Sequence, residues 1–463
     1  MSADIHVVIL AAGQGTRMKS QLPKVLHRLA GRSMIEHVLT TAATLSPRTV
    51  TVVVGHRADL LRRHLSAWPG LQFAVQEPQL GTAHALQQAE PFLKGHSGTL
   101  LLLSGDVPLL TAQTVRRLVE GHRGATASAT VATAVVDRPY GYGRIVRTKG
   151  QLARIVEERD ATPAERQIKE INGGIYVFDL PPLFDALRGI AAHNAQGEFY
   201  LTDLVGIYRR KRKTVETLVV DDAQEIRGIN SRTELAEVST VVRQKKNEEL
   251  MAAGVTLVDP AATYIDPDVQ IGPDTVIHPG VVIEGQTRIG SACEIQAHVR
   301  IVDSQIGDRV AINNFCLLVG AKVANGVVIG PFAHLRPETN LGEGAKIGNF
   351  VELKKTSLGA RSKVNHLSYL GDAEIGENVN VGAGTITCNY DGQRKSRTVI
   401  EDGAFIGSDS QLIAPVRVGK GAYVGAGSSI TADVPAGALG IGRGRQVNVE
   451  GWADRRKASP EKT

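Results

Sequence analysis

From Ile265 onward the chain keeps one beat, an aliphatic residue at every sixth position: Ile265, Ile271, Ile277, Ile283, Ile289, Ile295 and Ile301. The beat resumes at Ile306, Ile312 and Leu318, then runs from Val323 through Ile329, Leu335, Leu341 and Ile347 to Leu353. Further runs are Leu358–Val364–Leu370, Ile375–Val381 and Ile400–Ile406–Leu412–Val418–Val424–Ile430. Gly often follows the aliphatic, and a small or β-branched residue often stands four positions after it, as Thr275 does after Ile271. This is the hexapeptide pattern of a parallel β-helix. Three hexads make one triangular coil that turns an aliphatic side chain inward on every face, and glycines are expected at the sharp corners. About nine coils at ~4.8 Å each predict a prism about 45 Å long. The period does not decide handedness; the general crossover rule favours a right-handed turn.

The first half follows another pattern. Apolar, mostly β-branched runs at His6–Leu10, Thr49–Val54, Leu100–Leu103 and Ile171–Phe178 alternate with helix-length amphipathic segments. That alternation predicts an α/β domain, a mostly parallel sheet covered by helices, with ligands at the carboxyl ends of the strands. Between the two patterns, Ser231 and Glu234 have capping-box spacing, and Leu235, Val238 and Val242 recur at helical intervals. The expected domains are therefore residues 1–230, a solvated connecting helix at 231–252, the β-helix at 253–452, and a loose polar tail at 453–463.

A length of 463 residues suits two or three domains, and 42% hydrophobic with 22% charged residues suits a soluble globular chain. The apolar runs Val7–Ala12 and Leu100–Leu103 are too short to span a bilayer, so no membrane insertion is expected. No basic segment precedes the first apolar run, and Cys293, Cys316 and Cys388 have no metal-ligand spacing. A reducing, cytoplasmic location is expected. The net charge of +6 tolerates anionic ligands, but no basic stretch is interleaved with aromatics, so nucleic acid is not an expected partner.

The first strand leads into Leu10-Ala11-Ala12-Gly13-Gln14-Gly15-Thr16-Arg17-Met18, with Pro23-Lys24 just beyond. A glycine-rich turn offers backbone N–H groups to a phosphate, and Arg17 and Lys24 add the cations that a triphosphate requires. The turn has neither the Walker ending nor the dinucleotide spacing. Taken alone, other residues have plain structural readings. Asp106 can cap a helix, Glu157 can sit on a solvated face, and Asn172 and Asn230 can serve turn geometry. Thr202 reads as a helix cap and is left outside the site.

Taken together, Leu10–Met18 and Pro23-Lys24-Val25 resemble the signature of sugar-1-phosphate nucleotidyltransferases. Gln76, Gly81-Thr82, Ser104-Gly105-Asp106, Gly141-Tyr142-Gly143-Arg144, Glu157, Asn172-Gly173-Gly174 and Gly228-Ile229-Asn230 extend the likeness. They are similar to the bifunctional N-acetylglucosamine-1-phosphate uridylyltransferase/glucosamine-1-phosphate N-acetyltransferase family. The resemblance implies that Leu10, Ala11, Ala12, Gly13, Gln76, Gly81 and Thr82 hold the uridine nucleotide. Ser104 and Gly105 would belong to the same UDP-sugar site, and Arg17 and Lys24 would neutralise phosphates. Gly143, Glu157 and Asn172 would contact the acetylated sugar, and Asp106 with Asn230 would bind Mg²⁺.

In the hexapeptide half, Val364 and Ser368 take inward slots, so His366 and Tyr369 point outward. An exposed histidine, and cations such as Arg336 and Lys354, are ordinary surface features on their own. The rhythm breaks between Val381 and Ile400, a step of nineteen around Thr387-Cys388-Asn389-Tyr390-Asp391-Gly392, which is either a surface turn or a loop shaping a site. Here too the segments resemble the acetyltransferase half of the family. The likeness implies His366 as general base and Asn389 as its orienting partner. Arg336, Lys354, Tyr369 and Asn380 would hold glucosamine 1-phosphate, and Ala383, Asn389, Tyr390, Ser408, Ala426 and Arg443 would contact acetyl-CoA. It further implies a left-handed prism and a homotrimer, with UTP and acetyl-CoA as co-substrates. Cys388 leaves a covalent acetyl-cysteine route open. Two rivals remain at this level: a single-activity nucleotidyltransferase with a structural β-helix, and a non-catalytic exchange-factor-like scaffold.

Overall fold

The computed structural model describes residues 4–457, which divide into two compact units that meet at Val242/Arg243. The tail residues 458–463 lie outside the described residues, and the stretch before them, expected to be loose, forms an exposed helix, Trp452–Lys457. Among the described residues no helix is long and apolar enough to cross a membrane.

The first unit is built on a nine-stranded sheet. Its main path runs Val215–Val219, Ala129–Val135, Glu170–Asp179, Thr99–Ser104, Ile5–Ala11, Thr49–Val54 and Leu71–Val75. The strands are parallel except Glu170–Asp179, which runs against both neighbours. The apolar run at Ile171–Phe178, expected among the parallel strands, is therefore antiparallel. It follows the hairpin Arg144–Thr148/Gln151–Val156 rather than a full helical crossover, so the chain returns in the opposite direction. Leu100, Leu101, Leu102 and Leu103 alternate between the two faces and are all fully buried, as a sheet covered by helices on both sides demands. Residues Ala11, Val54, Val75 and Ser104 bring four parallel strands to a common end.

The connecting helix spans Arg232–Ala252 and is not a solvated arm. Its first half buries Val238 against Leu29, Met34 and Ile229 of the first unit. In the second unit Leu250 joins the prism core, and Asn247 donates to the carbonyls of Pro260 and Thr263 at 2.8 and 3.2 Å. The unit boundary accordingly falls inside the helix rather than at residue 230.

The second unit is a parallel β-helix with three faces of 11, 10 and 9 strands. That makes ten coils rather than nine, because a first coil begins at Thr256–Leu257, before the six-residue beat starts. The inward aliphatics are almost wholly buried, and the slots four residues later hold Thr275, Cys293, Val299 and their equivalents. Buried hydroxyls there donate either to a carbonyl of the next coil, as Thr275 does to Gly290 at 2.9 Å, or to one of their own turn, as Thr287 does to Glu284 at 2.7 Å.

Glycines do not monopolise the corners. His298, Phe315, Phe332, Phe350 and Leu367 take the left-handed corner conformation themselves, with φ between 52° and 61°. The glycines that follow the inward aliphatics answer a different need: a Cβ on Gly290 would lie 2.7 Å from the Gly307 backbone one coil on. Coil-to-coil approach, not dihedral freedom, selects them.

The break in rhythm also differs from its sequence reading. Thr387, 1% exposed, pairs with Leu412 and occupies an aliphatic slot, so the beat continues through it. The extra length is a projecting loop between Cys388 and Thr398, which includes a bridge from Tyr390 to Lys395.

Candidate active sites

At the strand ends of the first unit, Ile5–Ala11 passes into a turn whose critical glycine is Gly15. It has φ 62°, and a Cβ there would sit 2.6 Å from Lys24 Cβ, whereas Gly13 faces open space. The turn leads to the short 3₁₀ segment Thr16–Met18, which carries the exposed Arg17. Lys24 heads a second 3₁₀ segment, and its ammonium binds both Asp106 Oδ2 and Asn230 Oδ1, the latter at 3.1 Å. Asp106 caps no helix. The backbone N–H of Ile229 donates to its carbonyl at 3.0 Å, which holds the Gly228–Asn230 turn beside the aspartate.

The same end of the sheet supplies the remaining frame. Gly105 N donates to Leu10 O at 2.9 Å, and the Gln79 amide donates to Ala12 O beside Ala11 and Gly13. Ser104 Oγ donates to Gly174 O at 3.3 Å. Gln76 is nearly buried and its amide nitrogen donates to Gly81 O at 2.9 Å, which leaves its carbonyl oxygen for a ligand. Thr82 Oγ1 accepts from Leu201 N, so Gly81-Thr82 fasten the segment that bears Thr202.

Gly143, Glu157 and Asn172 converge. A Cβ on Gly143 would lie 3.1 Å from Ile155 Cγ2 and within ordinary contact of Asn172 Cβ and Glu157 Oε1, at 3.4 and 3.5 Å, so the three residues are close neighbours. Glu157 is not on a solvated face; burial pushes its carboxyl above the ordinary range, partly offset by Thr202, whose hydroxyl donates to it at 3.2 Å. Asn172 lies at a bulge in its strand, and its side-chain oxygen accepts from Gly174 N at 3.1 Å. Thr202 precedes helix Asp203–Arg210 but makes no side-chain cap bond; its hydroxyl goes to Glu157 instead, a pairing that the reading of it as a cap did not anticipate. No local signal marked it, because only the fold brings Thr202 to Glu157.

On the prism, consecutive coils stack six residues along one corner. Leu367 N donates to Asn349 O, Gly384 N to His366 O, Asp409 N to Ala383 O and Gly427 N to Ser408 O, at 3.1, 3.2, 2.7 and 2.8 Å. Arg443 Nη1 closes the ladder on Ala426 O at 2.6 Å. The column Asn349, His366, Ala383, Ser408, Ala426, Arg443 therefore sets an exposed imidazole beneath a strip of small side chains that ends in a cation. Tyr390 stands apart from it, in the inserted loop, with its hydroxyl donating to Gly392 O.

The adjoining face carries Arg336, Lys354 and Tyr369. Arg336 pairs with Glu352 at 2.9 Å. Lys395, from the inserted loop, reaches Lys354 and pulls its ammonium below the usual lysine range. Asn380 is on a different face, paired with Lys363 and Phe405, so one chain does not bring it together with the other three.

Asn389 does not orient His366 within this chain. Its amide nitrogen donates to Asp372, one coil back, whereas the His366 ring bonds Asn349. The reason is positional: His366 ends one face and Asn389 lies past the next, at a neighbouring corner. Burial raises the Cys388 thiol, which disfavours the thiolate that a covalent acetyl route needs.

Comparisons with known proteins match this two-part architecture. Residues 7–172 fit the MobA-like NTP transferase domain, and residues 268–303 and 397–432 fit the bacterial transferase hexapeptide repeat. The chain is 51% identical to "Bifunctional protein GlmU" of Trichlorobacter lovleyi, over 96% of this chain and 97% of that one. It is 50% identical to the protein of that name from Pelobacter propionicus, over 98% and 99%, and 46% identical to the one from Streptococcus thermophilus, over 98% of each. The chain belongs to the bifunctional GlmU family.

As a GlmU-family member it carries a uridylyltransferase domain and an acetyltransferase domain, and the single-activity and scaffold alternatives fall away. Its prism is the left-handed hexapeptide β-helix, where the crossover rule alone pointed the other way. Asn349, Asp372, Lys395 and Thr202 join the residues to be weighed in this GlmU chain. Asn349 had a readable signal, since it lies seventeen residues before His366 (one coil shortened by a residue). Lys395 had none, because only the folded loop brings it to Lys354.

Proposed function

We propose that the prism acetylates glucosamine 1-phosphate with acetyl-CoA, and that the first unit then transfers uridylyl from UTP to the N-acetylglucosamine 1-phosphate formed. Pyrophosphate leaves, and the product, UDP-N-acetylglucosamine, feeds cell-envelope polysaccharide synthesis. The observation that carries this reading is the convergence of Lys24, Asp106 and Asn230 where the parallel strands end.

That cluster fits Mg²⁺. Two oxygen donors already converge on one cation, the Lys24 ammonium, and a magnesium site of this kind takes only one or two protein oxygens, with phosphates and waters completing it. When bound, the ion offsets charge on the phosphates. Arg17 and Lys24 add positive charge as the sugar phosphate attacks the α-phosphorus of UTP in line; the new P–O bond forms as the bond to pyrophosphate breaks. Gly143, Glu157 and Asn172 hold the acetylated sugar, with Thr202 fixing the carboxylate. No protein nucleophile is required, because positioning two anions against fixed cations supplies the catalysis.

In the acetyl step His366 takes the proton of the sugar amine as its nitrogen attacks the thioester; the C–N bond forms, the C–S bond breaks, and coenzyme A leaves as its thiol. Arg336, Lys354 and Tyr369 hold the phosphate end of the sugar, and the Ala383–Ser408–Ala426–Arg443 strip holds the coenzyme. Asn380, on another face, supports a site shared between copies in a homotrimer. The exposed stack of Phe315, Phe332 and Phe350, with rings about 5.1 Å apart, supports self-association by offering a contiguous apolar edge. The working location is the cytoplasm, where both co-substrates are available.

The test is direct. The pure protein is incubated with glucosamine 1-phosphate, acetyl-CoA, UTP and Mg²⁺, and the products are identified by mass. UDP-N-acetylglucosamine, pyrophosphate and free coenzyme A are expected. Pyrophosphate release from glucose 1-phosphate, with no thiol release from acetyl-CoA, would overturn the reading.

A further inference from the structure

Ser231 and Glu234 have the spacing of a capping box, in which the acidic side chain reaches back to the N–H of the capping residue. Only half of that box is built. Glu234 N donates to Ser231 Oγ at 3.2 Å, but Glu234 Oε2 accepts the backbone N–H of Asn230, at 2.6 Å, one residue earlier than a cap requires. Asn230 is the residue whose side-chain oxygen meets the cation shared with Asp106.

Two further bonds show what this shift accomplishes. Ile229 N is tied to Asp106 O, so the turn is pinned to the aspartate just before Asn230. Arg232 Nε donates to Met18 O at 3.1 Å, which fastens the same first helical turn to the 3₁₀ segment that carries Arg17. Asn230 is thus held through its backbone on both sides, and the bond from the Glu234 side is charge-assisted, roughly twice as strong as a neutral one. The Asn230 amide itself is turned by its nitrogen, which donates to Gly228 O at 3.5 Å, so the backbone bond to Glu234 fixes the base from which that amide reaches the cation.

We infer that Glu234 is a positioning residue for uridylyl transfer: it aims the Asn230 amide oxygen at the cation site without touching substrate. This rests on the reading of Asp106 and Asn230 as a metal-binding pair. Removing a partner that orients a metal ligand ordinarily weakens metal binding by about 10- to 100-fold.

The experiment uses the full chain, stripped of metal, with Mn²⁺ as the probe. Binding is followed by electron paramagnetic resonance in the presence of UTP. Glu234→Ala is expected to weaken Mn²⁺ binding about 10- to 100-fold and to raise the Mg²⁺ needed for half-maximal pyrophosphate release in parallel, with acetyl transfer unchanged. Glu234→Gln keeps an oxygen acceptor and should recover most of the affinity. Ser231→Ala removes only the helix-capping half and should leave Mn²⁺ binding as in the parent. If Glu234→Ala and Glu234→Gln both bind Mn²⁺ as the parent does, while Asp106→Ala loses it, Glu234 is a helix cap and the inference falls. If Asp106→Ala also retains Mn²⁺, the metal assignment itself fails first.

Discussion

His366 Nδ1 faces Asn349 Oδ1 one coil below it, at 2.5 Å. An amide oxygen only accepts, so this pairing favours the neutral tautomer with its proton on Nδ1 and the Nε2 lone pair outward, as the proposed general-base role requires. His366→Ala should lower acetyl transfer by about 10²- to 10⁴-fold. Asn349→Ala should lower kcat less, with the KM values of both acetyl substrates nearly unchanged, since it removes orientation rather than binding. Both should release pyrophosphate at the parental rate. Thiol release and pyrophosphate release measured on one preparation check this, and loss of both reactions in a folded variant would refute separate sites.

Lys395 lies close enough to Lys354 to disfavour its charge, which is why the Lys354 ammonium titrates below the usual range. A depressed lysine loses its charge as pH rises sooner than an ordinary one. KM for glucosamine 1-phosphate should therefore climb on the alkaline side. Lys395→Met removes the repulsion and should move that climb to higher pH, while at neutral pH the loss of one cation raises KM roughly tenfold, about 1.4 kcal/mol. A KM–pH series for the two proteins decides the point; parallel curves would show that the two amines act independently.

At the other site Asp106→Ala should abolish pyrophosphate release and leave acetyl transfer nearly intact. The substitution also deprives the Lys24 ammonium of its carboxylate partner. Raising Mg²⁺ should not restore the rate. Recovery at high Mg²⁺ would mean that the aspartate helps binding only and that other oxygens suffice.

Glu157 offers a pH test of stability. Burial raises its carboxyl, so the folded chain holds this proton more tightly than the unfolded one. Its contribution to stability is therefore full at acid pH and is lost as pH rises through the raised value. Glu157→Gln, free of that cost, should melt at a higher temperature than the parent at about pH 8 and show little advantage near pH 4. The same variant, and Thr202→Val beside it, should raise KM for N-acetylglucosamine 1-phosphate. An advantage of equal size at both pH values would mean that the carboxyl titrates normally.

Much of the architecture was legible because periodicity is a local property. An inward aliphatic every sixth residue is forced on any sequence that closes a triangular coil, so Ile265 to Ile430 announced the prism without contacts. Where a polar residue filled an apolar slot, as Thr387 does, a count of aliphatics misplaced the insertion. The glycine pattern was visible for the wrong reason: the glycines relieve coil-to-coil contact, and the corners accept Phe315 and His298.

The sequence by itself determined the two folds, the strand-end location of the glycine-rich turn and the identity of most polar residues around it, since these follow from repeat spacing and short motifs. Tertiary structure alone decided which polar groups meet. It gave Asn349 rather than Asn389 to His366, drew Thr202 to Glu157 and Lys395 to Lys354, and turned Glu234 toward Asn230. Such pairings join residues up to 45 positions apart through loops and corners, where side-chain direction depends on the packing of other elements rather than on neighbours in the chain.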